Sequence, residues 1–170
     1  MFQVNNIGNT RQVRLADIQD AHKTLIDGCS QMKGKWFISD GTLLGFHRNK
    51  DFIPQDTDID VAVMVDDVAP DINLDMELIR TATWDDKIVQ KAYRDLNECI
   101  FDIFFYYKEG DYYVTRGDYG FIKLPAYEII DYKTKYGTFP APKQTEEYLT
   151  LRYGDWKTPK QDKGIHVHNS

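Results

Sequence analysis

At 170 residues the chain suits one domain, and hydrophobic residues at 42% are enough to build its core. A net charge of −6 and a pI of about 5.2 argue against nucleic acid as the main partner, because phosphate backbones need basic surface. No apolar run approaches the ~20 residues that span a bilayer, and residues 1–14 lack the apolar core of a signal peptide. The expectation is a cytoplasmic protein with no transmembrane segment. Cys29 and Cys99 lack metal-ligand spacing and read as reduced thiols.

In chain order, residues 1–13 are polar and read as loose. Leu15, Ile18, Leu25, Ile26, Cys29 and Met32 recur at helical spacing, which predicts an amphipathic helix over 14–33 stopped at Gly34. Trp36-Phe37-Ile38 reads as a short strand. Gly41 breaks it, and Thr42 is placed to cap a short helix running through His47. A loop with Pro54 follows. Ile59–Val65 is almost continuously apolar, so it reads as a strand buried on both faces. The spacing of Leu74, Leu78 and Ile79 predicts a helix over 71–82. Residues 86–94 and 99–107 read as paired strands, and Glu109-Gly110-Asp111 as a turn into a hairpin at Tyr112-Tyr113-Val114. Residues 117–142 are rich in Gly, Pro and Tyr and show no clear period. Residues 143–152 predict a last short helix ending near Gly154. The fold class expected is α/β (α+β), a mixed β-sheet with flanking helices in a single domain.

The chemistry concentrates in Asp56-Thr57-Asp58-Ile59-Asp60, at the mouth of the apolar strand. Alternate strand residues share a face, so Asp56, Asp58 and Asp60 should crowd together. Three like charges that close repel unless a cation sits among them, and Asp is disfavoured in strands. The pattern therefore asks for a divalent metal, Mg²⁺ or Mn²⁺. A helix-loop-helix calcium site fails, because its sixth position needs Gly and here holds Val61. Asp102, set in Ile-Phe-Asp-Ile-Phe-Phe, is costly to bury unless paired or bound to metal. It reads as a further ligand or as a proton acceptor; pairing with a Lys or Arg is the plainer alternative. Gly41 and Thr42 follow a strand and open a helix, where backbone N–H groups can cradle phosphate, and Arg48 can add a phosphate contact. His166 and His168, two apart in a polar tail, read better as a frayed end than as metal ligands.

Asp40-Gly-Thr-Leu-Leu-Gly-x-x-Arg48, followed by Phe52-Ile-Pro-x-Asp-x-Asp-Ile-Asp60, resembles the LicD family of phosphocholine transferases and fukutin-related proteins. Phe139-Pro-Ala-Pro-Lys, Tyr148-Leu and Arg152-Tyr-Gly-Asp-Trp are similar to that family's C-terminal signature. The resemblance covers roughly residues 18–168. It implies a nucleotidyltransferase-type fold. It also implies transfer of a phospho-alcohol or phospho-sugar group from a nucleotide diphosphate donor, such as a CDP-alcohol (CDP-choline or CDP-ribitol type), to a glycan hydroxyl. By motif, Gly41 and Thr42 fall on the donor-phosphate turn, Asp58 and Asp60 on the metal-binding pair, and Arg48 on the arginine after the Leu-Leu-Gly helix. Asp102 falls on the strand acid. Gln55 stands where many members have Trp, and Thr57 where many have another acid. A nucleotidyltransferase that moves the nucleoside monophosphate itself, and a carbohydrate-binding module without activity, are the rival readings.

Overall fold

Long runs of β-branched and aromatic residues make strands the main element, and each must pair or be covered. The computed structural model describes residues 1–160, so His166 and His168 lie outside the described residues. The chain opens with β1 (Phe2–Asn6), a 3-10 turn at Leu15–Asp17, α1 (Ala21–Ser30), β2 (Lys35–Ile38) and α2 (Asp40–Leu44). A π-helical turn at Gly45–Asn49 leads to β3 (Asp58–Val65), β4 (Glu77–Trp84), β5 (Lys87–Arg94) and β6 (Ile100–Glu109). Then come β7 (Tyr112–Gly117), β8 (Gly120–Pro125), β9 (Ile129–Thr134), β10 (Gly137–Pro142) and α3 (Thr145–Tyr153).

Eight strands form one mixed sheet in the order β1-β4-β5-β6-β3-β2, with β7 joined to β6 and β8 to β7. β3 and β6 run parallel, and the other neighbours are antiparallel. β9 and β10 make a separate hairpin. The result is a mixed α/β domain with few helices. Among the described residues no helix is long and apolar enough to cross a membrane.

The two faces of the sheet are covered differently. A Cβ on Gly28 of α1 would run into the ring of Phe101, so α1 lies close against the face that Phe101 presents. Tyr148 of α3 meets Phe37 of β2 edge-on at 5.6 Å. Phe37 is the register partner of Ala62, which shares a face with Asp60. The helix α3 therefore covers the Asp60 face. Ile59, Val61 and Val63 on one face and Ala62 and Met64 on the other are all buried, as expected of a strand packed on both sides.

Several expectations change. The helix expected over 14–33 is broken at Asp20, whose φ of 64° is left-handed and does not continue a right-handed helix. The helix expected over 71–82 is a strand from Glu77, because it is hydrogen-bonded by β1 on one edge and β5 on the other. Residues 2–6, read as loose, are that edge strand. Residues 117–142, read as aperiodic, supply β8, β9 and β10. The β5–β6 pair, the hairpin at Gly110 (φ 63°) and the last helix ending before Gly154 (φ 70°) form as the sequence indicates.

Candidate active site

Two parallel strands place the acids. β3 begins at Asp58 and β6 at Ile100, and their register pairs Asp58 with Ile100 and Asp60 with Asp102. Paired positions share a face, so Asp60 and Asp102 stand side by side and Asp58 lies one alternation away. One carboxylate oxygen from each of Asp58, Asp60 and Asp102 lies within 4.8 Å of the others. Asp60 is 8% exposed and Asp102 6%. Burial pushes both carboxyls well above the usual carboxylate range, and the charge of Asp58 adds to it. At Asp102 the amide of Gln90 pulls the other way.

Asp56 stands one step outside this cluster. The strand begins only at Asp58, so strict alternation does not reach back to Asp56. Its Oδ1 accepts the Thr57 N–H at 2.9 Å, and its Oδ2 is buried without a hydrogen-bond partner among the described residues. Burial first, then Asp58, raises its pKa to about 7. Its carboxylate lies so close to Gly41 that a Cβ there would collide with it. Gly41 is thus required by close approach.

The Thr42 hydroxyl is turned toward the strand that carries the acids. Thr42 is fully buried, and its Oγ1 accepts the backbone N–H of Asp60 at 2.9 Å. It sits behind the carboxylates and fixes the strand that carries them. Among the described residues no side chain caps α2, which starts a little earlier than expected, at Asp40. Arg48 lies on the π-helical turn, where its Nη1 donates to the Trp156 carbonyl at 3.0 Å and its Nε to Asn49 at 2.9 Å.

The four acids, Gly41 and Arg48, but not Thr42, line a cleft of about 610 Å³. Asp58, Asp60, Asp102, Gln90 and Ala92 are in its lining with Gly41 and Arg48, and Gly117, Asp118 and Tyr119 of the β7–β8 connection line it as well. Tyr153, the last residue of α3, and Trp156 just beyond it also line the cleft.

The sequence reading missed a buried ion pair. Arg152 Nε donates to Asp40 Oδ1 at 2.8 Å, and the Tyr148 hydroxyl donates to the same oxygen at 3.2 Å. The Asp40 N–H donates to that hydroxyl at 2.9 Å. A signal was present, since Asp40 opens the Gly41-Thr42 motif and Arg152 lies in the late Arg-Tyr-Gly-Asp-Trp segment. It also missed Gln90, Arg80 and Asp118, which no local pattern marks.

Fold and site together define a mixed α/β domain with an acidic cleft built from hard oxygen donors. The chain belongs to the LicD/FKTN/FKRP nucleotidyltransferase-domain family, whose model matches residues 33–146. It is similar to the mouse protein named ribitol-5-phosphate transferase FKTN, 28% identical over 159 residues, covering 84% of this chain and 32% of that one. The Macaca fascicularis and human proteins of the same name are 27% and 26% identical over the same coverage. The chain thus spans about a third of the length of the curated relatives it matches.

Proposed function

We propose that this domain is a metal-dependent phosphotransferase. In this reading it moves a phospho-alcohol or phospho-sugar group from a nucleotide diphosphate donor of the CDP-alcohol type to a hydroxyl of a glycan. The carrying observation is the convergence of Asp58, Asp60 and Asp102 within 4.8 Å in the lining of a cleft, in a chain of this family. The name of the mouse relative, a ribitol-5-phosphate transferase, supports a phospho-alcohol as the group moved. The family's description as a nucleotidyltransferase domain supports that fold type.

The residues present fit Mg²⁺ or Mn²⁺. Three carboxylates supply only hard oxygen donors, which suit those ions, and their crowding in a buried place leaves negative charge for a cation to balance. Asp58, Asp60 and Asp102 would hold it; a bound ion supplies charge neutralisation at the diphosphate and a lowered pKa for the attacking hydroxyl. The chain's own groups do the rest. Thr42 holds the Asp60 backbone still. Gly41 keeps the wall low beside Asp56. Arg48, which lines the cleft as Arg80, Arg152 and Lys160 also do, is a cation that can meet donor phosphate. Asp102, when not fully engaged as a ligand, accepts the proton of the acceptor hydroxyl. That hydroxyl attacks the phosphorus next to the alcohol, a P–O bond forms, and the bond to the nucleoside monophosphate breaks. Positioning and electrostatics carry most of the rate.

A second reading is favoured by the family description alone: transfer of the nucleoside monophosphate itself. The same cleft serves it, with the other phosphorus attacked. Incubation with a CDP-alcohol, Mg²⁺ and hydroxyl acceptors separates the two. Release of CMP supports phospho-alcohol transfer, and release of the phospho-alcohol supports nucleotidyl transfer. Acceptor-dependent release of neither, across a panel of CDP-alcohols and glycans, counts against both.

A further inference from the structure

Gln90 of β5 stands beside Asp102, and its Nε2–H donates to Asp102 Oδ1 at 2.8 Å. An amide has a donor end and an acceptor end, and either end can be turned toward a neighbour. Here the choice is forced. Arg80 Nε donates to Gln90 Oε1 at 3.0 Å, and a guanidinium has no acceptor to offer. The NH₂ end of Gln90 must therefore face Asp102. Arg80 is itself fixed, because its Nη2 donates to both oxygens of Asp118, at 2.8 and 3.0 Å. Asp118 lies in the turn between β7 and β8, so three strands and a turn converge on one carboxylate.

The final torsion of a carboxylate is broad and roughly two-fold, so an Asp without a fixed donor samples many orientations. Gln90 and Asp102 are both buried, at 9% and 6% exposure, and Asp102 shares its surroundings with two further acids. When the acids are ionised, as a bound cation requires, like charges push Asp102 away from Asp58 and Asp60, and the Gln90 donor opposes that rotation.

We propose that Gln90 is a positioning residue for the carboxylate cluster, holding Asp102 in the orientation that completes a divalent-cation site, with Arg80 and Asp118 setting the direction of its amide. The proposal rests on the reading of Asp58, Asp60 and Asp102 as that site. Partners that orient metal ligands act in this way, and their loss typically weakens metal binding by about 10–100-fold.

The test is a Mn²⁺ titration of the full chain, read from the resonance of free Mn²⁺. Gln90→Leu keeps similar volume and removes the amide. We expect it to raise the Mn²⁺ Kd by roughly 10-fold or more. In an Asp102→Ala background the same substitution should change Kd by less than about 2-fold, since no side-chain oxygen is left at that position to orient. Arg80→Met keeps the amide but releases its direction. It should weaken binding in the same sense, again only when Asp102 is present, and it answers the question if Gln90→Leu does not fold. Equal losses with and without Asp102, or no loss in the native background, overturn the positioning role. A native chain that binds no Mn²⁺ overturns the metal reading itself, so the two failures are distinct.

Discussion

Arg152 of α3 reaches back to Asp40 at the start of α2, with its Nε 2.8 Å from Oδ1 and both side chains buried. Asp40 has a φ of 45°, a left-handed conformation that Asp tolerates better than most non-glycine residues but that still favours a fixed partner. The pair and the Tyr148 hydroxyl hold it, directly before Gly41. Breaking a buried pair by removing one partner leaves an uncompensated charge, which costs about 3–5 kcal/mol. Arg152→Met should lower unfolding stability by about that much in urea titrations. Adding Asp40→Asn should recover part of the loss. A single variant as stable as the native chain would show the pair to be incidental.

Gly41→Ala tests the close approach of α2 to the 53–57 turn. A Cβ at Gly41 collides with the Asp56 carboxylate. Overpacking of this kind costs about 1–3 kcal/mol. The melting temperature should fall accordingly, and Mn²⁺ binding should weaken as the turn before Asp58 shifts. Gly41→Ala combined with Asp56→Ala removes the obstacle and should regain most of the stability. If the double variant melts no higher than Gly41→Ala alone, the collision is not the cause.

The carboxylate cluster was legible in part because an Asp inside an apolar strand is a local anomaly. Asp58 and Asp60 open one such strand, and Asp102 interrupts another. That the two strands are adjacent and parallel is a matter of topology, which alternation does not encode. Asp56 lies before the strand begins, where period two no longer applies, yet its charge still acts on Asp60 and that of Asp58 acts on it. The segment with Leu74, Leu78 and Ile79 fits a helix about as well as a strand over so short a run. Its partner β1 decides the matter, and β1 is too polar to announce itself. Residues 120–142 hide three strands because Gly, Pro and Tyr blur the period. Arg80, Gln90 and Asp118 lie on three separate elements, and only folding brings them into line.

Crowded acids also set a pH dependence. Asp56 is raised from 3.8 to about 7, and Asp60 and Asp102 are raised well above 3.8, in each case chiefly by burial. A carboxyl with a raised folded-state pKa binds its proton more tightly when folded than unfolded. The stability it contributes is full below about pH 4 and is lost as pH rises, through about 7 for Asp56. Metal binding needs these groups deprotonated. Mg²⁺ or Mn²⁺ should therefore raise the melting temperature more at pH 7.5 than at pH 5. Comparing melts with metal and with EDTA at each pH isolates this contribution from the other carboxyls. A metal-induced shift that does not grow with pH would contradict it.

Asp102→Asn separates the roles open to that residue. The substitution keeps the shape and removes the charge. Asn can still face Gln90, so the fold should survive, and with one buried acid fewer the metal-free protein should not melt lower. If Asp102 is the proton acceptor, turnover should fall by roughly 10²-fold or more while Mn²⁺ and donor affinity change little. If it is a ligand, Mn²⁺ affinity should fall with turnover. The position of Asp102, side by side with Asp60 and with one oxygen committed to Gln90, favours the ligand outcome. Calorimetry of Mn²⁺ binding beside single-turnover kinetics reads both quantities on one preparation. Normal turnover per folded molecule together with normal Mn²⁺ affinity would remove Asp102 from the site. It would leave Asp58 and Asp60 as the paired acids of β3 on which the chemistry rests.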